Sequence, residues 1–71
     1  MMYKQVSAQF FEYDDSSMYK YVDQAMQYCL DTINNDGGTI VGTPHVESFY
    51  DSSSGRYGTV VIVYEVNSAF I

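Results

Sequence analysis

Five consecutive apolar residues, Val60-Val61-Ile62-Val63-Tyr64, constrain this chain more than any other feature. β-branched side chains are stiff and suit a pleated strand, in which successive side chains point to opposite faces. Val60, Ile62, Tyr64 and Val66 then project to one side, and Val61 and Val63 to the other. Both faces of such a strand need cover, which places it at the centre of a sheet. Burying one Val or Ile is worth roughly 1.5–3 kcal/mol. The cover must come from 71 residues, enough for one domain spanning 1–71.

The remaining elements follow from period. From Met2 to Tyr13 apolar residues alternate, with Val6, Ala8 and Phe10 on one face. Tyr3 and Phe11 fall on the other face with Gln5, Ser7, Gln9 and Tyr13. Asp14, Asp15, Ser16 and Ser17 offer the short oxygen-bearing side chains of a helix N-cap. From Met18 to Ile33 the spacing changes to three and four, through Val22, Ala25, Met26 and Cys29, which predicts an amphipathic helix of about four turns. Asn34-Asn35-Asp36-Gly37-Gly38 supplies its C-terminal cap. A second strand is expected from Thr39 to Tyr50, at an edge or bulged because Pro44 lacks a backbone donor. A turn over Asp51–Arg56 then leads to the third strand, Tyr57–Val66.

The expected fold is α+β, β-α-β-β, with the helix on one face of a three-stranded antiparallel or mixed sheet. A right-handed crossover makes the first two strands parallel and leaves room for the third between them, in the order 1-3-2. One helix covers one face. The second patch, Tyr3, Phe11, Val61 and Val63, is expected to be an oligomer interface unless the terminal Ala69-Phe70-Ile71 folds back over it. The two edge strands offer a further route, through sheet extension across a dimer.

Small size argues in the same direction. Chains below roughly 70–80 residues usually gain only about 3–5 kcal/mol from one core. Cys29 is the only cysteine, so no intrachain disulfide adds to that, and one Cys with one His does not make a structural zinc site. Self-association is the remaining remedy. Eight Tyr and four Phe, with no Trp, suit surfaces that are buried when a partner arrives.

Nine acids against three bases give a net charge of −6. Lys4, Lys20 and Arg56 are too scattered to form a basic patch, so direct binding to nucleic acid or to an anionic membrane is not expected. The complementary partner is a protein with a basic surface. Met1–Asp15 lacks a basic segment followed by an apolar run, and no run approaches the roughly 18 apolar residues of a membrane span, so the expected location is the cytoplasm.

The search for chemistry yields little. His45 and Glu47 share a face at i and i+2, without a third ligand beside them. Cys29 lies on the buried helix stripe, and Ser52-Ser53-Ser54 lacks the strand-to-helix context of a nucleophile elbow. Gly37-Gly38 follows a helix, whereas a phosphate-binding loop precedes one. The reading is a protein without catalytic residues, cofactor or metal. Its expected partner-binding residues are Glu12, Tyr13, Asp14, Asp15, Tyr50 and Asp51, which strand ends and loops bring to the surface.

In size, acidity and richness in Tyr and Asp the whole chain resembles the short proteins with which phages disable bacterial enzymes, including anti-CRISPR and other anti-defence proteins. That resemblance implies an inhibitor acting in a host cytoplasm. In topology, through Tyr3–Phe11, Met18–Ile33 and Val63-Tyr64-Glu65, the chain is also similar to dodecin and to small sporulation-associated β-α-β-β proteins. Those imply self-assembly with a small ligand between subunits. Dodecin stacks its flavin on tryptophan, and this chain has none.

Overall fold

The computed structural model describes residues 1–67. The proposed cover by Ala69-Phe70-Ile71 lies outside the described residues. Strand β1 (Met2–Phe11) leads to helix α1 (Val22–Asn35), then to β2 (Thr39–Ile40), β3 (His45–Asp51) and β4 (Gly55–Val66). The class is α+β. The sheet has four strands, not three, and every pairing is antiparallel.

β4 is the central strand. It pairs with the whole length of β1, from Phe11 opposite Tyr57 to Met2 opposite Val66. Its other side pairs with β3 from Gly55 to Val61 and with β2 at Tyr64 and Glu65. The expected strand Thr39–Tyr50 is therefore broken in two. Residues Val41 to Pro44 oppose only Ile62 and Val63, so two residues are extra on the outer side. Gly42 and Pro44 interrupt the ladder there, Pro44 having no N–H to give. An even number of extra residues leaves the alternation of faces unchanged on either side of the break.

The core is one layer between helix and sheet. Val6, Ala8 and Phe10 from β1 and Val60, Ile62 and Tyr64 from β4 meet Ala25, Cys29 and Ile33 from α1. These three helix residues recur every four, one stripe of the helix.

The helix starts later than Met18. Asp14 accepts bonds from the Ser16 N–H and hydroxyl, at 3.0 and 2.6 Å, so its carboxylate closes a turn and caps no helix. The Phe11 N–H donates to the Tyr19 carbonyl, holding the intervening loop against the end of β1. Tyr21 is the N-cap, and the Gln24 side chain accepts from the Lys20 and Tyr21 N–H groups. Met18, expected on the buried stripe, is 82 % exposed. At the other end Gly37 (φ +68°) and Gly38 donate to the Asn34 and Ile33 carbonyls, a Schellman cap.

The helix spans less of the sheet than expected. It packs on β1 and β4, touches β2 and makes no contact with β3. All seven residues of β3 are exposed, on both faces of the strand. No helix among the described residues is long and apolar enough to cross a membrane.

Candidate functional site

The six expected partner-binding residues converge at one end of the molecule, where the β1–α1 loop meets the β3–β4 turn. Glu12 continues β1: its N–H donates to the Arg56 carbonyl at 2.9 Å, and its Oε1 accepts from the Arg56 N–H at 3.0 Å. Gly55 permits this approach. It has φ +72°, and a Cβ there would stand 2.6 Å from Glu12 Oε1. The Tyr13 N–H donates to the Ser54 carbonyl, tying the loop to the turn.

Each aspartate of the set has a local task. The Ser16 hydroxyl and N–H hold Asp14 below the usual carboxylate range. Asp51 is held low likewise, by the Ser53 N–H and hydroxyl and then by the Ser54 hydroxyl. Asp15 is fully exposed and meets Lys20 Nζ at 3.0 Å. Asp14 and Asp51 therefore stay ionised in mildly acid solution.

Tyr50 stands on the helix side of the sheet but beyond the helix. The Arg56 guanidinium lies 6.0 Å from its ring centroid and donates to Ser48 Oγ at 3.1 Å. Glu12, Tyr13, Lys20, Tyr21, Tyr50 and Arg56 line a groove of about 460 Å³, floored by Phe10 and Val22. Sequence reasoning missed Lys20 and Tyr21, and it read Arg56 only as a weak anion contact of the serine turn. The signal available was Gly55-Arg56 following a serine turn, which starts a strand beside the end of β1. Lys20 and Arg56 thus bring two cations to an end of the molecule that carries four carboxylates, of which Glu12 lines the groove.

The expected oligomer-interface residues Tyr3, Phe11, Val61 and Val63 all lie on the sheet face away from the helix. Phe49 belongs with them. Phe11, Tyr57 and Phe49 are directly opposite one another across three strands, with centroid separations of 6.0 and 5.6 Å. Gln5, Ser7, Gln9, Thr59 and Glu47 interleave with these rings, so the face is mixed and not an apolar sheet.

His45 Nε2 and Glu47 Oε1 are 3.2 Å apart on β3, both exposed. No group of three metal-ligating side chains occurs among the described residues. Cys29 is buried, and desolvation pushes its thiol pKa up, away from the thiolate a nucleophile needs. At the opposite end of the molecule the Tyr64 hydroxyl donates to Asp36 Oδ2 at 2.6 Å and Lys4 Nζ donates at 3.2 Å. This joins β4 and β1 to the helix C-cap.

No protein-family model, curated protein or solved structure matches this chain. The reading of the site rests on its geometry and chemistry.

Proposed function

We propose that this chain is a non-enzymatic binding protein that engages a basic surface of a target protein and works as a homo-oligomer in the cytoplasm. The observation that carries this reading is the convergence of Glu12, Tyr13, Asp14, Asp15, Tyr50 and Asp51 on one end. Carboxylates gathered there select Lys and Arg, and exposed tyrosines add apolar area with polar tips. A phage-type inhibitor is the form of this function that the composition suits. The patch Tyr3, Phe11, Val61 and Val63 provides one surface for assembly.

The groove gives a second reading, a self-assembled domain that holds a small ligand among Tyr13, Tyr21 and Tyr50. Its cations at Lys20 and Arg56 favour an aromatic anion.

The test is a pull-down from host lysate with wild type and with a Tyr13→Ala, Asp15→Lys variant. These two side chains are exposed and hold no element together. The reading expects one stoichiometric protein retained by wild type at low salt, weakened at moderate salt and lost by the variant. No such protein at either salt, or equal retention by the variant, contradicts it.

A further inference from the structure

We infer that the free edge of β3 pairs with β3 of a second copy, antiparallel about a two-fold axis through Ser48. This deepens the oligomeric part of the proposed function and names the strand that carries it.

β3 is unlike the other long strands. β4 is enclosed by neighbours on both sides, and β1 has one face buried beneath the helix. The side of β3 away from β4 meets no strand among the described residues. Its apolar side chains are bare on both faces: Val46 is 40 % exposed, Phe49 52 % and Tyr50 64 %. An edge with unpaired backbone groups and exposed apolar residues is a template for another strand. The edge of β1 is a poorer one, because its Phe11 N–H is already given to Tyr19 and its open face presents Gln5, Ser7 and Gln9.

The occupant follows from self-complementarity. A two-fold at Ser48 sets Ser48 opposite Ser48, Glu47 opposite Phe49, Val46 opposite Tyr50 and His45 opposite Asp51. On the helix side two Val–Tyr pairs then flank the axis. On the open side a histidine meets a carboxylate at each end. Opposed aromatic and β-branched side chains are stabilising contacts of an antiparallel ladder, and an isologous dimer requires that one strand supply both halves of every pair. The like-charge approaches are diagonal, between the two Glu47 carboxylates and between each Glu47 and Asp51 of the other copy, with each Glu47 beside its own His45. Pairing there draws Tyr50 and Asp51 of the binding end into the contact and leaves Glu12, Tyr13, Asp14 and Asp15 free for a target. A seven-residue strand is a small interface, so association belongs in the micromolar range, about 1–100 µM.

The register makes a specific test. Opposed Cα atoms in an antiparallel pair lie about 4.5–5.5 Å apart, within disulfide reach, and only residue 48 opposes itself. The two copies of residue 46 lie four residues apart along the strand direction, about 13 Å. Under mild oxidation Ser48→Cys should become mainly a disulfide dimer, and Val46→Cys should not. Sedimentation equilibrium, from about 5 to 300 µM, should give a monomer–dimer equilibrium for wild type. It should give at least tenfold weaker association for Val46→Thr combined with Tyr50→Thr, which keep strand propensity. A wild type that stays monomeric throughout, equal cross-linking at positions 46 and 48, or unchanged association of the threonine variant overturns the proposal. No target is present in these measurements, so their failure is separate from failure of target binding.

Discussion

Phe10 is enclosed almost completely, between Val60, Ile62 and the helix stripe. Phe10→Ala should cost about 3–5 kcal/mol, as much as a core of this size supplies, and its circular dichroism should be that of an unfolded chain at 25 °C. A native spectrum would locate the core elsewhere. Cys29 lies in the same layer, so a thiol reagent such as DTNB should react only as the molecule opens. The wild type should stay unmodified in buffer and titrate one thiol in urea; fast reaction in buffer would contradict the packing. Asp36 contributes through charge. The Tyr64 hydroxyl and Lys4 hold its pKa low in the folded state. Above the ordinary value of about 3.9 its contribution is present in full, and it is lost as pH falls through that value toward the folded pKa. Asp36→Asn should therefore lower Tm at neutral pH, with the gap to wild type closing on acidification. A gap independent of pH would mean that the charge is not what matters. Phe10, Ile62 and Cys29 were legible in the sequence because alternation and helical spacing aim them inward. The Tyr64–Asp36 bond was not, since it joins residues 28 apart and depends on where the helix cap meets the sheet.

At the scale of elements, the helix was legible in its stripe but not in its start. Asp14 to Ser17 have the chemistry of a cap, and the same oxygens serve equally well to close the turn they form here. Its end was clearer, because Gly37 takes a backbone conformation that other residues adopt at a cost. Space is not limiting at Gly37, where a Cβ would meet nothing within 4 Å. Gly37→Ala should thus cost about 1–2 kcal/mol from conformation alone, and Gly37→Asn less; equal Tm values for all three would remove the Schellman cap from the account. β2 and β3 illustrate a different limit. Pro44 announced an edge or a bulge, but whether the ladder resumed in the same phase depended on the number of extra residues, which no local pattern encodes.

The whole molecule is thin, with principal extents of 49 × 21 × 13 Å. A single helix is about 10–12 Å across with its side chains, and strands are spaced about 4.8 Å apart, so it shelters roughly two of three strand widths. The doubly apolar run at residues 60–66 pointed to a shortage of cover, and the shortage is real, but it falls on β3 as well as on the open face. The candidate binding end was legible as a set of surface residues. Its two cations were not placed there, because Lys20 comes from the β1–α1 loop and Arg56 from the start of β4, and their meeting depends on register. If β3 seeks a second copy, its outward-facing amides must be exchange-labile when alone and protected when paired. Hydrogen exchange of the β3 amides at about 5 and 500 µM protein, concentrations bracketing the expected affinity, reads this directly. The account predicts slower exchange at the higher concentration, concentrated in residues 45–51. Identical β3 exchange at both concentrations, with the rest of the sheet protected as usual, would contradict it.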